Sequence, residues 1–532
     1  MPFATTHTVS LHGALGHLID VQADISPGQV GTTLIGRPDI SLNEARDRCR
    51  MAVINSGFDW PSTRRVTVLL APADLGKSGT HYDLAISVAV LAAADLVPRE
   101  ALLGTAFIGE LTLSGGLRSV PGVLPMVLAA AERGIDRVFV PEPQAREAAM
   151  VPGTTVFGMR SLGQVVAQLR GIEVPEAPPV APMSGSRLLA WRGQERLEEL
   201  DFGDLFGMPD AKFAVEVAAC GGHSVLLTGP KGAGKTSLAE RIPTILPELT
   251  PEESLELTAV HSLAGALEPG DGMLTTPPYS GPHHDASKAS LIGGGSGQVR
   301  PGEISRAHCG VLFLDEFPLF RSDVIEALRQ PLESGEITVA RREESVTLPA
   351  RCLLVLACNP CPCGGYSDDP TASQCTCRPQ PLRDYRAKIS GPIADRIDIV
   401  RSVEPARRHD AGPLDVEETS ADIRARVARV RERQRLRYRD EGWRLNAHAP
   451  GAALRDRYPL RSRAQQRLQA EVYAGRLSSR GGVRVHRLAW TIADLRSVCT
   501  GVDVVPGADE LDTALRLRTQ QPLLLASMRR AG

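Results

Sequence analysis

The sequence has no apolar run long enough to cross a membrane. A membrane-spanning helix needs about 18 consecutive, mostly apolar residues, and no such run occurs in the 532 residues. Lysine is scarce, with six in the whole chain, and no Lys or Arg precedes Arg37, so we expect no secretory or transit peptide. We therefore expect a soluble, cytoplasmic protein without a membrane partner.

The overall charge and the cysteine content exclude little on their own. The formal net charge is −2 at pH 7, which by itself favours neither nucleic acid nor a membrane surface as a partner. Ten cysteines in a chain of this length do not form the dense disulfide framework of a small secreted domain. The length instead indicates about three domains.

Residues 225–242, VLLTGPKGAGKTSLAERI, have the pattern of a strand, a glycine-rich loop and a helix. The loop matches GxxxxGK[ST], in which backbone N–H groups surround a phosphate. We expect Lys235 to reach the β- and γ-phosphates of ATP and the Thr236 hydroxyl to bind Mg²⁺. The residues expected to contact the nucleotide are Gly229, Pro230, Lys231, Gly232, Ala233, Gly234, Lys235, Thr236 and Ser237.

Two further apolar runs end in polar residues that suit the same chemistry. GVLFLDEF, residues 310–317, has the pattern of a strand buried on both faces. It ends in Asp315, a candidate Mg²⁺ ligand, and Glu316, which can polarise an attacking water. CLLVLACNP contains Asn359, where a γ-phosphate sensor would sit. An acidic turn after a strand and an Asn that caps a turn are the alternatives.

Five cysteines lie between positions 358 and 377. Two C-x-C pairs, Cys361 with Cys363 and Cys375 with Cys377, flank a loop rich in Gly, Pro and Asp. Four thiolates can complete a tetrahedral, structural Zn²⁺ site. Cys358 could replace one ligand by forming C-x2-C with Cys361, and free or redox-active thiols are the alternative to zinc.

Composition along the chain separates an N-terminal part from the nucleotide motifs. A Pro-rich stretch is typical of a linker. The part before it has the alternating strand and helix patterns of an α+β domain, with an amphipathic helix predicted over residues 82–96. The expected segments are an N-terminal domain (1–172), the linker (173–187), a nucleotide-binding core (188–404) and a C-terminal helical domain (405–532).

Two segments contain features that could serve a ligand. From Ser254 to Glu303 the sequence is irregular and glycine-rich, which favours a functional loop. Its adjacent His283 and His284 are more typical of polar surface than of a metal site. Farther on, an Arg-rich helix has its arginines around most of the circumference, as in a solvated helix or a nucleic-acid track. These arginines are Arg424, Arg426, Arg429, Arg431, Arg433, Arg435, Arg437 and Arg439.

Longer stretches of the chain resemble one family. The runs GPHH, LIGGGS, RPGEISRAHCGVLFLDEF, EALRQPLESGEITVARREESVTLPARCLLVLACNPCPCGG and ISGPIADRIDI strongly resemble the ComM/YifB family of magnesium-chelatase-like AAA+ ATPases. NSGFDWPSTRRVTVLLAPADLGKSGTHYDLAISVAVLAA resembles that family's Lon-protease-like domain. The resemblance spans nearly the whole chain. It implies an α/β fold with a P-loop AAA+ core, a Lon-protease-like α+β domain before it and a helical lid domain after it.

The resemblance also implies an activity. Members of the family form hexameric rings with ATP at the subunit interfaces, and competence members are linked to DNA branch migration. A homo-hexamer and single-stranded or branched DNA are therefore the expected partners. The paired cysteines match the family's cysteine loop. The other matched residues are Lys235 and Thr236 (phosphate loop), Asp315 and Glu316 (second motif), Asn359 (first sensor), Arg396 (arginine finger toward a neighbour) and Arg484 (second sensor, with Arg487 as the alternative).

Three departures from the family pattern affect these expectations. TPPYSGPHH replaces a basic RPFRxPHH, so any DNA contact by that loop loses its arginines. His81 stands where active Lon-type proteases have a catalytic Ser, and the matching PGVLPM contains no Lys, so we expect no protease activity. Trp490 stands where an Arg is common in the lid helix.

Three functions are compatible with these motifs. The first is an ATP-driven DNA motor, such as a branch-migration helicase. The second is an ATPase that drives metal insertion with a partner, although the chain has no DxSxS metal motif. The third is an ATP-binding scaffold without turnover, which would need neither Glu316 nor Arg396.

Overall fold

The structure is a computed structural model whose described residues form a seven-stranded sheet, a five-stranded sheet and three two-stranded sheets, followed by a group of helices. None of the described helices is long and apolar enough to cross a membrane. The described residues are 3–13, 15–181, 199–267, 271–294, 299–341, 344–366, 373–390, 393–404 and 418–523.

The N-terminal region is built around a seven-stranded mixed sheet of order β3-β4-β2-β1-β5-β8-β9. Alternate residues of β2 face different cores: Ile19 and Val21 enter one, and Leu18 packs against the other. The strands are β1 (Phe3–His12), β2 (Leu15–Ser26), β3 (Gly31–Ile35), β4 (Arg65–Ala71), β5 (Thr105–Phe107), β6 (Glu110–Leu111), β7 (Leu117–Arg118), β8 (Arg137–Pro141) and β9 (Thr155–Met159). The helices are α1 (Ile40–Asn55), α2 (Asp83–Ala93), α3 (Val123–Glu132), α4 (Ala145–Ala148) and α5 (Leu162–Arg170).

The helix predicted over residues 82–96 forms as α2, but the prediction that it is amphipathic is wrong. All eleven residues of α2 are buried. Its acidic residue Asp83 accepts a hydrogen bond from Arg48 Nε at 2.9 Å, and burial raises the pKa of Asp83 to about 6 in spite of this partner. A helix that is apolar all round is a central helix, and α2 is the centre of the N-terminal core.

The described part of the predicted linker, residues 173–181, has no regular secondary structure and lies along the N-terminal domain. Gln164 Nε2 donates to Pro175 O at 2.8 Å, and Arg160 Nη1 donates to Ala177 O at 3.2 Å. Residues 173–181 are therefore hydrogen-bonded to the N-terminal domain that precedes them. The rest of the predicted linker lies outside the described residues.

The second sheet has five strands in the order β11-β14-β17-β10-β18, and every pairing is parallel. The carboxyl ends of all five strands therefore meet at one edge. The strands from here on are β10 (Val225–Thr228), β11 (Tyr279–Ser280), β12 (Gly293–Gly294), β13 (Arg300–Pro301), β14 (Val311–Leu314), β15 (Glu336–Arg341), β16 (Glu344–Pro349), β17 (Leu353–Cys358) and β18 (Ile399–Ser402). The helices of this region are α6 (Pro209–Gly221), α7 (Lys235–Glu240), α8 (Ile242–Ile245), α9 (Pro251–Ala264), α10 (Lys288–Ile292), α11 (Glu303–Arg306), α12 (Ser322–Ala327), α13 (Arg329–Ser334) and α14 (Pro379–Ser390).

The segment predicted to be irregular from Ser254 onward begins inside α9, so that boundary is wrong. The Thr250 side chain accepts from the Glu253 backbone N–H, and the Glu253 side chain accepts from that of Thr250. This reciprocal capping box starts the helix. Gly265, with φ 67°, ends it in the left-handed conformation that favours glycine. The irregular part therefore starts only after residue 265.

The C-terminal helices share an apolar core with the second sheet. Val427 of α15 and Leu488 of α18 belong to the same buried cluster as Val225 of β10. The predicted helical domain is thus packed against the nucleotide-binding core. Its helices are α15 (Ser420–Arg437), α16 (Gly451–Asp456), α17 (Ser462–Tyr473), α18 (Ser479–Thr500) and α19 (Ala508–Thr519).

Several arginines of α15 contact other parts of the protein, so the prediction of a fully solvated helix is wrong. Arg426 Nε lies 2.5 Å from Glu216 Oε1, and Arg437 Nη1 donates to Asp494 Oδ2 at 2.9 Å. Arg431 Nε donates to a carbonyl of α6 at 2.9 Å. A nucleic-acid track along this helix would also lose these three groups. The arginines of α15 that stay exposed are Arg424, Arg429 and Arg435.

The N-terminal domain contacts the core directly through α9. The Gly122 backbone N–H donates to Ser262 O at 3.0 Å, and Ser262 Oγ donates to Glu147 Oε1 at 2.5 Å. Ala259 of α9 lies in an apolar cluster of the N-terminal domain. Burial at this contact raises the pKa of Glu147. Helix α9 therefore provides a direct contact between the two regions.

Candidate nucleotide site

The predicted strand, glycine loop and helix form at the carboxyl edge of the parallel sheet. β10 ends at Thr228 and α7 begins at Lys235. A Cβ on Gly229 would lie 2.2 Å from Val403 O, so only glycine fits there. Gly232 and Gly234 have φ values of 79° and 90°, which glycine adopts without strain. The loop conformation therefore depends on its glycines.

Lys235 and Thr236 each contact a residue that directly follows another strand of the parallel sheet. Lys235 Nζ donates to Asn359 Oδ1 at 3.1 Å, and also to Gly229 O and Pro230 O at 2.8 and 2.9 Å. Burial lowers the pKa of Lys235. Thr236 Oγ1 donates to Asp315 Oδ2 at 2.9 Å. A hydroxyl and a carboxylate at this separation are two oxygen ligands of the kind that Mg²⁺ takes.

Glu316 occupies a special backbone position beside these groups. Its φ and ψ are 49° and 40°, a left-handed conformation that is uncommon for residues other than glycine. Its N–H donates to Asp315 Oδ1 at 2.8 Å. The Glu316 side chain is 49% exposed, so it can reach a water molecule next to a bound phosphate.

Asn359 follows β17, which lies between β10 and β14 in the sheet. Its main-chain oxygen accepts from Tyr385 Oη at 3.2 Å, while its side-chain oxygen faces Lys235. The structure thus brings Lys235, Thr236, Asp315 and Asn359 together. A lysine, a hydroxyl, a carboxylate and an amide in this arrangement can bind a triphosphate together with Mg²⁺.

Arg396 and Arg484 lie at the other end of the sheet. Arg484 Nη1 donates to Asp398 Oδ1 at 2.7 Å, and Asp398 lies opposite Ser224, before β10 begins. Ser224 and Thr228 are four positions apart along the extended chain, so the distance between them is about 13 Å. Arg396 Nε donates to Glu333 Oε1 at 2.8 Å. Neither guanidinium therefore joins the phosphate loop of its own chain.

Arg487, the alternative second sensor, donates to Ala449 O at 2.9 Å. Asp398 is buried. Burial acts to raise its pKa, but Arg484 and His223 outweigh burial and hold that pKa well below the ordinary value. Arg484 is therefore a structural ion-pair partner, whatever else it does.

The four cysteines of the two C-x-C pairs converge into one cluster. Their Sγ atoms all lie within 4.8 Å of one another, with Cys361 to Cys363 at 3.3 Å, Cys363 to Cys375 at 3.8 Å and Cys375 to Cys361 at 3.7 Å. Cys358 is buried in β17 and is not part of this group. The alternative ligand set that includes Cys358 is therefore wrong.

The cluster has dimensions that fit zinc. A tetrahedral site with Zn–S bonds of about 2.3 Å places its sulfurs about 3.8 Å apart, close to the observed separations. The backbone N–H groups of Gly365 and Thr376 are the main cause that lowers the pKa of Cys363 to about 5. That shift favours the thiolate, the form that binds metals, at Cys363 alone, because the pKa values of Cys361 and Cys377 are raised.

His81, which stands at the position of a protease nucleophile, is a core residue. Its Nε2 lies 2.8 Å from Val9 O, and burial lowers the pKa of His81 to about 4. The ring is 2% exposed, so it offers no surface for a peptide substrate.

Two residues near the nucleotide site were missed from the sequence. Met208 packs against Gly234, since a Cβ there would lie 3.4 Å from Met208 Cε. His284, which we expected to be polar surface, has its Nδ1 3.9 Å from Glu316 Oε2. No local pattern marks Met208, and the two-residue strand β11 (Tyr279–Ser280) gives no sequence signal that places His284 beside Glu316.

Comparison with known proteins places the chain in a family. A profile described as magnesium chelatase, subunit ChlI, matches residues 201–411. A profile described as subunit ChlI of Mg-chelatase matches residues 21–144, and one described as magnesium chelatase, subunit ChlI C-terminal, matches residues 417–518. Along the chain the three matches do not overlap, and their order is 21–144, 201–411 and 417–518.

Full-length relatives are more specific. YifB of Escherichia coli (strain K12) is 37% identical over 497 residues, 93% of this chain and 94% of YifB. The competence protein ComM of Haemophilus influenzae is 37% identical over 500 residues, again 93% and 94% of the two chains. This chain belongs to the ComM/YifB family of magnesium-chelatase-like AAA+ proteins. The uncharacterized protein Rv2897c of Mycobacterium tuberculosis is 44% identical over 97% of this chain and 99% of its own.

One departure from the ComM/YifB pattern has a clear structural setting. Trp490 Nε1 donates to Tyr458 O at 2.8 Å, and the Arg437 guanidinium lies 4.4 Å from the Trp490 ring. A cation over an indole face is an attractive contact. In this ComM/YifB member, Trp490 therefore packs α18 against α15.

Replacing Arg484 by Ala should destabilise the fold, whatever role Arg484 has toward nucleotide. The buried Asp398 carboxylate would lose its partner, and removing one member of a buried ion pair costs about 3–5 kcal/mol. Denaturant unfolding should show that loss, and the double variant Arg484→Ala, Asp398→Asn should recover part of it. Arg487→Ala is the control with a carbonyl partner and should lose less. An Arg484→Ala protein within about 0.5 kcal/mol of the parent would contradict the structural role.

Proposed function

We propose that this protein is an ATP-hydrolysing, ring-forming AAA+ motor that acts on DNA. The observation that carries the proposal is the convergence of Lys235, Thr236, Asp315 and Asn359 at one sheet edge, with Glu316 beside them. A site that only binds nucleotide would need groups such as Lys235, Thr236 and Asp315. It would not need a second carboxylate, such as that of Glu316, to activate water.

The chemistry follows from the positions of these side chains. The loop N–H groups and Lys235 would bind the β- and γ-phosphates, and Thr236 with Asp315 would hold Mg²⁺. The metal neutralises charge on the phosphate oxygens when it is bound. Glu316 would take a proton from water as the water oxygen bonds to the γ-phosphorus and the bond to the β–γ bridging oxygen breaks. Asn359 would orient that water or the γ-phosphate.

The ring arrangement is supported by the position of Arg396. An arginine finger neutralises charge that develops on the γ-phosphoryl group. Arg396 lies at the sheet edge opposite to its own phosphate loop, so it could serve only the nucleotide of an adjacent subunit. Arg484 lies on the same side. We propose that a homo-hexamer brings these arginines to the neighbour's site.

DNA is proposed as the substrate on the strength of the family. One full-length relative is named a competence protein, and the resemblance links competence members to branch migration. The Arg-rich helix α15 supports this less than its sequence indicated, because Arg426, Arg431 and Arg437 bind the protein. Arg424, Arg429 and Arg435 remain exposed, although Arg424 also donates to Thr244 O at 2.8 Å, and DNA contacts from α15 would come from these three.

Two other functions have weaker support. A magnesium-chelatase 38 kDa subunit of Rhodobacter capsulatus is 28% identical over 44% of this chain, which keeps an ATPase that drives metal insertion as the second candidate. A scaffold that binds ATP without turnover would not need Glu316 at a half-exposed position beside the Asp315 carboxylate. Turnover measurements separate the scaffold from the other two.

Glu316→Gln should retain ATP binding and lose hydrolysis. The amide cannot accept the proton of the attacking water, and general-base catalysis contributes roughly 10²–10⁴-fold. We expect steady-state ATPase activity to fall at least about 100-fold with little change in nucleotide affinity. Glu326→Gln, on the exposed part of α12, is the control and should behave as the parent. Unchanged turnover in Glu316→Gln would remove Glu316 as the base.

DNA binding should depend steeply on salt and little on base sequence. Binding through phosphate contacts releases counterions, so affinity for single-stranded or forked DNA should fall at least about tenfold between 50 and 200 mM salt. Fluorescence anisotropy in the presence of a non-hydrolysable ATP analogue measures this. Replacing Arg424, Arg429 and Arg435 by Gln should weaken binding and lower the salt slope. No binding at low salt would favour the metal-insertion function.

We also propose that the cysteine cluster holds structural Zn²⁺. Its four sulfurs have the number and spacing of a closed zinc site. The cluster follows Asn359 directly, and Gly364 lies close to Lys231 of the phosphate loop, at 3.9 Å from Lys231 Cβ to a Cβ built on Gly364. A fixed cluster would therefore hold the chain next to the first sensor in place.

Elemental analysis of protein purified without chelators should find about one zinc per chain. The variant with Cys375→Ser and Cys377→Ser should lose the metal, because two sulfurs cannot complete a tetrahedral site. Cys499→Ser, an exposed cysteine outside the cluster, is the matched control and should keep it. Folded protein that is free of metal would contradict the proposal.

A further inference from the structure

The pairing of β11 with β14 brings His284 next to Glu316. Tyr279 pairs with Val311, and Ser280 pairs with Leu312, in parallel. His284 comes four residues after Ser280, and Glu316 comes four residues after Leu312. The same register that aligns the strands therefore accounts for the approach of these two side chains.

The two adjacent histidines are placed differently. His284 Nδ1 lies 3.9 Å from Glu316 Oε2, and its Nε2 lies 3.5 Å from Asp285 Oδ1. The His284 side chain is 28% exposed, whereas that of His283 is 72% exposed and faces Asp285 at 3.3 Å. Only His284 thus connects the loop to the carboxylate that we propose as the base.

Glu316 needs such a contact. Its side chain extends from a left-handed backbone position and is half-exposed, so several rotamers are open to it. Within the part of the chain that the structure describes, His284 is the one basic residue in ion-pair range of this carboxylate. A ring N–H that hydrogen-bonds the carboxylate would restrict those rotamers.

We propose that His284 is a positioning residue that orients Glu316 for the activation of water. The inference rests on the proposed hydrolysis function. At 3.9 Å the two atoms are beyond hydrogen-bond distance, so the proposal requires a side-chain rotation that brings them together. His284 belongs to the loop between β11 and α10, so a change in that loop would move the base relative to the phosphates. Through His284, turnover would respond to whatever contacts the loop.

The test separates turnover from binding in three variants. His284→Ala should lower kcat for ATP roughly 10- to 100-fold, since small misplacements of a reacting group have effects of this size, while KM and the affinity for an ATP analogue stay within about twofold. His284→Asn should recover most of kcat, because its amide N–H can take the place of Nδ1–H. His283→Ala is the matched control and should behave as the parent.

Each contrary result has a distinct meaning. A His284→Ala enzyme with parental kcat, while Glu316→Gln is inactive, would overturn the positioning role alone. Equal losses in His283→Ala and His284→Ala would also overturn it, in favour of a paired role such as metal binding. A parallel loss of ATP affinity in His284→Ala would indicate a structural role instead. Full turnover in Glu316→Gln would overturn the hydrolysis mechanism itself.

Discussion

The hydrogen bond between Thr236 and Asp315 is the contact on which the nucleotide site depends. It joins the first turn of α7, directly after the phosphate loop, to the turn after β14, although β17 lies between β10 and β14. The bond is possible because the strands are parallel and in register, so that their carboxyl ends meet. Lys235 and Asn359 meet at the same edge. Any change that shifts one strand relative to the next would separate all four groups.

The two edges of the parallel sheet carry different functional groups. The carboxyl edge holds the phosphate loop and the carboxylates, and the amino edge holds Asp398 with Arg396 and Arg484 nearby. A single chain thus has the groups that bind a nucleotide at one edge and two candidate arginines at the other. This separation is what a ring of identical subunits would use. The Arg484–Asp398 ion pair also fixes α18 to the sheet, so activity lost in Arg484 variants includes a folding effect.

Contiguous motifs were predictable from the sequence, and contacts between distant segments were not. The loop from Gly229 to Ser237 has its glycines and its flanking strand and helix within 18 residues, so spacing alone identified it. The apolar pattern of residues 82–96 predicted the helix that forms as α2. Periodicity does not show what packs around a helix, so the complete burial of α2 was not predicted. The partner of Arg426 is 210 residues away. His284 required the β11–β14 register, which a two-residue strand does not reveal.

The most direct test of the shared active site mixes two inactive variants. Arg396→Ala and Lys235→Ala should each be nearly inactive, because every interface in a uniform ring lacks one group. In a mixed ring, an Arg396→Ala chain that keeps Lys235 can adjoin a Lys235→Ala chain that keeps Arg396, so one interface is complete. With mixed rings demonstrated by native mass measurement, we predict partial recovery of ATPase activity. Inactivity of such mixed rings at every ratio would contradict the transfer of Arg396 to a neighbour's site.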